Sequence, residues 1–288
     1  MTLLPSQQPT YARHHATAPR TLAGDTCPGW VTRGANFVVV VSQANAGDVL
    51  LRDNLDEYVL LVPETPGLSV SVQAGGETLQ AAADSLTIVP PGSSRLEVAT
   101  GSGLIVRIFS SDVTDVLVLA DNHATYQAPN PDVSPLVAWP EPVGGYRLRN
   151  YPLANYVSEG SQMRVFRTRK LMVNPLMKRS VARDVKKLSP HSHADFEQGS
   201  LALSGTYVHH LRYPWGPDMT LWRDDEAQQM GSPSLLIVPP KVVHTSRNTD
   251  APGVLVDIFA PPRWDFSKKG MVCNADEYPM PAEPEGQA

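Results

Sequence analysis

The sequence predicts an all-β chain built as two tandem barrels. Three observations carry this reading. Short runs of β-branched or alternating apolar residues recur along the chain, bounded by Gly, Pro, Asp and Asn. No long segment shows the apolar period of an amphipathic helix, and 27 prolines with 20 glycines suit many short strands joined by turns. Finally, the second half repeats the first. Ser85-Leu86-Thr87-Ile88-Val89-Pro90-Pro91-Gly92 aligns with Ser234-Leu235-Leu236-Ile237-Val238-Pro239-Pro240-Lys241, identical at six of eight positions. A chain of 288 residues has room for two domains, and 42% hydrophobic against 18% charged residues gives each a core to bury.

The elements follow in order. Residues 1–30 read as an arm. Residues 31–126 form the first barrel, with strands at Phe37–Val41, Tyr58–Val62, Leu68–Val72 and Leu86–Val89. A short helix is expected within Ser110–Ala120, capped by Ser111, with Val113, Val116 and Leu117 as its apolar face. Residues 127–145 are proline-rich and read as a linker. Residues 146–266 form the second barrel, with strands at Met163–Phe166, Leu201–Leu203, Thr206–His209 and Leu235–Val238. Residues 267–288 are a tail, in which Tyr278–Pro284 is too proline-rich to build a core and is expected to be disordered at its end. The repeat carries further. Leu104–Phe109 matches Val254–Phe259 in pattern, and Asp56-Glu57-Tyr58 matches Phe196-Glu197-Gln198. In that register Leu51 stands where His191 stands, Asp53 where His193 stands and Arg95 opposite His244.

Bulk properties exclude several classes. Net charge is −5, so no basic excess points to nucleic acid. No run of eighteen apolar residues suggests a membrane span, and Met1–Arg20 lacks the apolar centre of a secretory signal. The two cysteines, Cys27 and Cys273, lie far apart and outside any motif, which fits a reducing cytoplasm better than a disulfide framework.

The chemistry concentrates in the second half. His191-Ser192-His193, Glu197 and His244 supply imidazole and carboxylate, the donors that divalent iron, manganese, nickel and zinc accept. Residues two apart on a strand share a face, so His191 and His193 aim together; Glu197 has the same parity. The segment Pro190–Gln198 resembles the first motif of the cupin superfamily, and Pro239–Asn248 resembles the second. The resemblance implies two cupin barrels, that is, a bicupin of the double-stranded β-helix or jelly-roll class. It implies that His191, His193, Glu197 and His244 hold one metal inside the second barrel. It departs at three glycines: the one before the first histidine is Val185, the one after the glutamate comes one residue late at Gly205, and the turn glycine of the second motif is Lys241. With Glu57 but no histidines, the first barrel is expected to be degenerate and structural.

Three imidazoles and a carboxylate leave two adjacent positions on a six-coordinate metal, which suits Fe(II), with Mn(II), Ni(II) or Zn(II) as alternatives. The expected function is an Fe(II)-dependent dioxygenase for a small oxygen-donor substrate. The alternatives are a metal-dependent isomerase or lyase of a sugar acid or oxo acid, and a non-catalytic small-ligand-binding or structural bicupin. Tyr207, His209, Trp222 and Arg223 are candidate substrate contacts, weighed against strand packing and solvated faces. Arg247 and the run Arg164, Arg167, Arg169, Lys170 are further candidate anion clamps. Asn248 is expected to orient the turn behind His244. Gln198, next to the glutamate, is expected to point away from the metal. A homodimer is expected, with the arm crossing to a partner barrel to cover a sheet edge.

Overall fold

The computed structural model describes residues 7–282. Two barrels follow one another, each made of two antiparallel sheets. In the first, a seven-stranded sheet runs in the order Arg149–Pro152, Ser85–Val89, Tyr58–Val62, Ser102–Ser110, Phe37–Asn45, Pro28–Arg33, Arg20–Thr21. It faces a four-stranded sheet of Val49–Asn54, Gly92–Thr100, Ser69–Ala74 and Glu77–Ala82. In the second, a six-stranded sheet orders Thr10–Ala12, Ser234–Val238, Gln198–Ser204, Val254–Phe259, Met172–Pro175, Phe166–Arg167. A three-stranded sheet of Glu226–Met230, Tyr207–Arg212 and Val243–Asn248 closes it.

The barrels exchange their terminal strands, which the sequence did not suggest. Thr10–Ala12, read as part of a free arm, pairs with Leu235–Ile237 at the edge of the second barrel. The arm therefore covers an edge of its own chain. Conversely, Arg149–Pro152, read as the start of the second barrel, pairs with Ser85–Ile88 of the first. The segment 127–145 contains no strand but is packed, with Trp139 buried and its N–H bonded to Arg169 O at 2.8 Å. The expected helix forms over Thr114–Leu117 and buries Val113, Val116 and Leu117; its N-cap is Val113, not Ser111, and no side chain caps it.

Apolar residues sort into layers according to strand parity. Leu50, Tyr58, Leu60, Val70, Val72, Leu96, Val98 and Phe109 fill the first barrel. Alternate residues of the same strands, including Val39, Val59, Leu61, Ile88 and Ile108, turn outward and meet Leu201, Leu235, Ile237, Val256 and Ile258 of the second barrel. Both faces of the abutting sheets are thus covered, so Tyr58–Val62 and Ser234–Val238 are buried at every residue. The second barrel's interior is different: its apolar clusters are small and leave a polar floor between them.

The exchange is fastened by a pair of matching latches. Asn122 accepts from Arg33 N at 3.0 Å and donates to Arg33 O at 2.8 Å; Asn274 does the same with Arg167 at 3.0 and 2.9 Å. Four residues after each asparagine stands a tyrosine that crosses to the other barrel. The Tyr126 hydroxyl donates to Glu197 at 3.1 Å, and the Tyr278 hydroxyl donates to Glu57 at 2.6 Å. Tyr278 is buried, so the segment expected to build no core is a cross-barrel anchor at this point. Residues 283–288, where the rest of that expectation falls, lie outside the described residues.

Candidate metal centre

Three side chains converge on the floor of the second barrel. His191 and His193 lie in the segment that enters the barrel mouth, and His244 opens the strand Val243–Asn248. His191 and His244 are opposite one another, exchanging backbone bonds of 3.1 and 2.8 Å. The ring centroids are 4.5 to 5.2 Å apart, and the potential donor nitrogens all lie within 4.8 Å of each other.

Two of the rings, His191 and His244, are prepared to offer a lone pair. His191 Nδ1 is 2.9 Å from Ser189 O, and His244 Nδ1 is 2.9 Å from Val242 O. A carbonyl can only accept, so both Nδ1 atoms carry the proton and both Nε2 atoms are free to coordinate. Burial pushes His193 down to about 3 and His244 down to about 4, so both are neutral at physiological pH.

Glu197 does not join them. Its carboxylate turns into the interface between barrels, where Ala35 N–H donates at 2.6 Å, Gln7 Nε2 at 2.7 Å and the Tyr126 hydroxyl at 3.1 Å. Burial pushes its carboxyl up, and these three donors with Arg33 pull it back. The parity argument fails because His193 and Glu197 do not share a strand. A turn over residues 194–197 resets the alternation, and the strand begins at Gln198.

Gln198 takes the inward place. Its Oε1 is 2.9 Å from His193 Nε2 and 3.3 Å from His244 Nε2. Its Nε2 donates to Ser200 Oγ at 2.8 Å and Asp257 Oδ1 at 3.1 Å, which fixes the oxygen toward the histidines. Two donors at right angles on a metal with arms of about 2.0–2.2 Å stand about 3 Å apart. The spacing of Gln198 Oε1 from His193 and His244 fits that, and the three histidines gather within 4.8 Å, so the residues present suit a divalent cation with nitrogen donors and an amide oxygen.

The remaining candidates disperse. His209 is fully enclosed inside the barrel, its Nδ1 2.7 Å from Ser246 Oγ, and so reaches the site through Ser246. Tyr207 is buried deeper, beside Asn248 and Gly253. Trp222 stacks on Trp215 with centroids 4.5 Å apart, in a loop outside the barrel. Arg223 is held there by Glu226 at 2.7 Å. Asn248 lies at the far end of its strand from His244 and ties Val181 O and Asp250 O, so it does not support the histidine. Arg164 and Arg167 donate to backbone carbonyls, while Lys170, 2.8 Å from Asp56, joins the barrels.

The cavity above the histidines has a volume of about 310 Å³. Its wall includes Arg179, Arg183, Ser246, Asp257 and Arg263, none of which the sequence had singled out. Burial pushes Asp257 up to about 6.

The first barrel has nothing comparable. Its site-facing positions are shifted by one residue from the sequence alignment. Ser94 pairs with Arg52 where His244 pairs with His191, whereas Arg95, Leu51 and Asp53 face outward. Arg95 pairs with Glu97 at 2.9 Å. Tyr58 occupies the place of Gln198 and bonds Ser94 at 2.9 Å, closing the space a cation would need. Among the described residues, three metal-ligating side chains gather only in the second barrel.

Comparisons with known proteins agree on the fold. No family model matches the chain, and no curated protein does. Among solved structures, the YlbA protein of E. coli superposes with a TM-score of 0.56 at 12% identity, covering 91% of this chain and 94% of that one. Oxalate decarboxylase of Bacillus subtilis, in its structure at pH 4.6, superposes with a TM-score of 0.57 at 13% identity, covering 90% and 78%. Another structure of that enzyme, from work on its Mn(II) centres, matches at 11% identity with a TM-score of 0.57. The chain has the two-barrel cupin fold. Among the described residues, no helix is long and apolar enough to cross a membrane.

Proposed function

We propose that this chain is a metal-dependent enzyme that holds one divalent cation, Mn(II) or Fe(II), with His191, His193, His244 and the amide oxygen of Gln198. The observation that carries the reading is the gathering of three imidazoles with Gln198 Oε1 close to two of them, where His191, Gln198 and His244 line one cavity. When bound, the cation supplies a Lewis acid for a carbonyl or carboxylate oxygen of the substrate. The likeness to a decarboxylase with Mn(II) centres is consistent with that, though it rests on fold alone.

A proton-moving reaction on a small oxo or hydroxy acid, as in a lyase or isomerase, is favoured over dioxygen chemistry. Four neutral donors leave the full double charge on the site, which favours polarising a bound oxygen over giving up an electron. Asp257 stands at the cavity wall with its carboxyl pushed into the range useful for taking and returning a proton. Ser200 Oγ, 3.3 Å from Asp257 Oδ1, and Gln198 Nε2 orient it.

Elemental analysis of the untagged protein, with oxygen uptake and proton exchange into 2-oxo acids in D2O, tests this. The expected result is about one Mn or Fe per chain and exchange that persists under nitrogen. Oxygen consumption coupled to substrate loss would return the site to the Fe(II) dioxygenase reading. No metal after reconstitution would leave a non-catalytic binding role.

A further inference from the structure

The cavity wall carries cations that the protein itself leaves without acidic partners. Arg179 and Arg183 come from the segment between Met172–Pro175 and His191 that crosses the barrel mouth. Among the described residues, no carboxylate lies within ion-pairing distance of either, and the Arg179 guanidinium makes no hydrogen bond to protein. Its backbone is fixed nonetheless, by reciprocal bonds of 2.9 Å with Gly253. Arg183 is aimed by the protein: it donates to Ser246 O at 2.8 Å, Ser189 Oγ at 2.9 Å and Lys187 O at 3.3 Å. That engages three of its five N–H groups. Burial and the neighbouring Arg179 pull Arg183 down from its ordinary value, the expected effect of crowding two cations in a partly dry wall.

The other charges around the cavity do not cancel them. Arg263 is already paired with Asp265 at 2.6 Å. Asp257, the acid on the wall, spends its Oδ1 on Gln198 and Ser200. Gln198 in the place of a carboxylate removes one more negative charge from the floor. A chain of net charge −5 therefore builds one cavity with a local positive excess. Unpaired guanidiniums beside a chelating centre recognise a planar oxyanion, because the fork of N–H groups matches a carboxylate.

Resting on the metal reading above, we infer that Arg179 and Arg183 form an anion subsite that receives a substrate carboxylate whose other oxygen donors reach the histidine floor. The volume of about 310 Å³ sets the size. At the roughly 30 Å³ that a water occupies in the liquid, it admits about ten non-hydrogen atoms. The substrate class is thus a small acid of a few carbons carrying an oxo, hydroxy or second carboxylate group, and not a neutral diketone or catechol.

Calorimetry on the full chain tests this with malonate as the probe and malonamide as its neutral counterpart, on Mn(II)-loaded and metal-free protein. Malonate is expected to bind at least tenfold tighter than malonamide. Arg179→Gln, which breaks no hydrogen bond or ion pair among the described residues, is expected to lose at least tenfold in malonate affinity while metal content and unfolding temperature stay as in wild type; Arg179→Lys recovers part of the loss. Equal binding of the two probes, no binding of either, or unchanged malonate affinity in Arg179→Gln overturns the inference. The metal reading fails separately: a wild-type chain that takes up no Mn(II) yet binds malonate through Arg179 would keep the subsite and lose the metal. A chain that takes up Mn(II) but is indifferent to Arg179→Gln would do the reverse.

Discussion

At the scale of single residues the decisive question is which of two neighbours faces the histidines. Glu197 is ionisable and sits at the expected offset; Gln198 is neutral and sits at the start of the strand. Geometry assigns the site to Gln198 and the interface to Glu197. Two features of the sequence agree with that assignment once the geometry is known. The late glycine, Gly205, is in register when counted from Gln198. And Glu57 is retained in a barrel without histidines, which means the repeated glutamate serves something other than metal: each one receives a tyrosine from the opposite barrel. The three histidines were legible because motif spacing survives local changes; the fourth donor was not, because parity is lost through a turn. Gln198→Ala is expected to weaken Mn(II) or Fe(II) binding by about ten- to a hundredfold, the usual effect of losing a supporting group at a metal site. Gln198→Glu should tighten it by adding a charge, and Glu197→Gln should leave it within about threefold of wild type. Competition with a chromophoric chelator reads all three. Metal loss in Glu197→Gln without loss of fold would restore the glutamate as ligand.

At the scale of elements, two turns position the site strands. Gly205 ends Gln198–Ser204 with φ of +82°, and a Cβ there would stand 2.9 Å from Pro252 O. Gly205→Ala combines left-handed strain with a backbone clash, so it is expected to cost about 1–3 kcal/mol in denaturant unfolding. An effect under about 0.5 kcal/mol, the usual range of a surface substitution, would mean the turn relaxes freely. Lys241 replaces a glycine at the turn before His244 and still adopts φ of 66°. It is retained with two ties: its N–H donates to His193 O at 2.6 Å, and its Nζ pairs with Asp132 at 2.5 Å. The strand reading anticipated most of these elements because β-branched runs and turn residues are local signals. The exchanged strands Thr10–Ala12 and Arg149–Pro152 were not legible, since a three- or four-residue edge strand has no pattern of its own and is defined by the sheet it joins. For the same reason the repeat alignment slipped by one residue around Arg52 and Ser94: identity at Ser85–Val89 fixes that strand, and the turn after it differs in length between halves.

At the scale of the whole molecule, the exchanged strands and the reciprocal latches make each barrel part of the other's structure. A single cooperative unfolding transition follows, in contrast to the two independent units that a linker at 127–145 would give. The latch at Glu57 adds a pH signature. Burial pushes Glu57 up to about 7, against the pull of the Tyr278 hydroxyl and Arg149. The folded protein therefore binds this proton more tightly than the unfolded chain does. Its contribution to stability is fully present below the ordinary carboxylate range and is lost as pH rises through about 7. Glu57→Gln keeps an oxygen for the Tyr278 hydroxyl and removes the charge. Relative to wild type it should be near neutral at pH 4 and gain stability progressively to pH 8, by up to about 3 kcal/mol. Urea unfolding of both proteins at several pH values gives that difference directly, and because other buried carboxyls are common to both, they cancel in it. A difference that does not change with pH would mean Glu57 is charged throughout and compensated by Arg149, and a difference of opposite sign would mean that Arg149 dominates the latch. Tyr278→Phe provides the complementary case: it strips the side-chain donor from a buried carboxyl, so its cost, about 1–3 kcal/mol, should be larger at pH 8 than at pH 4.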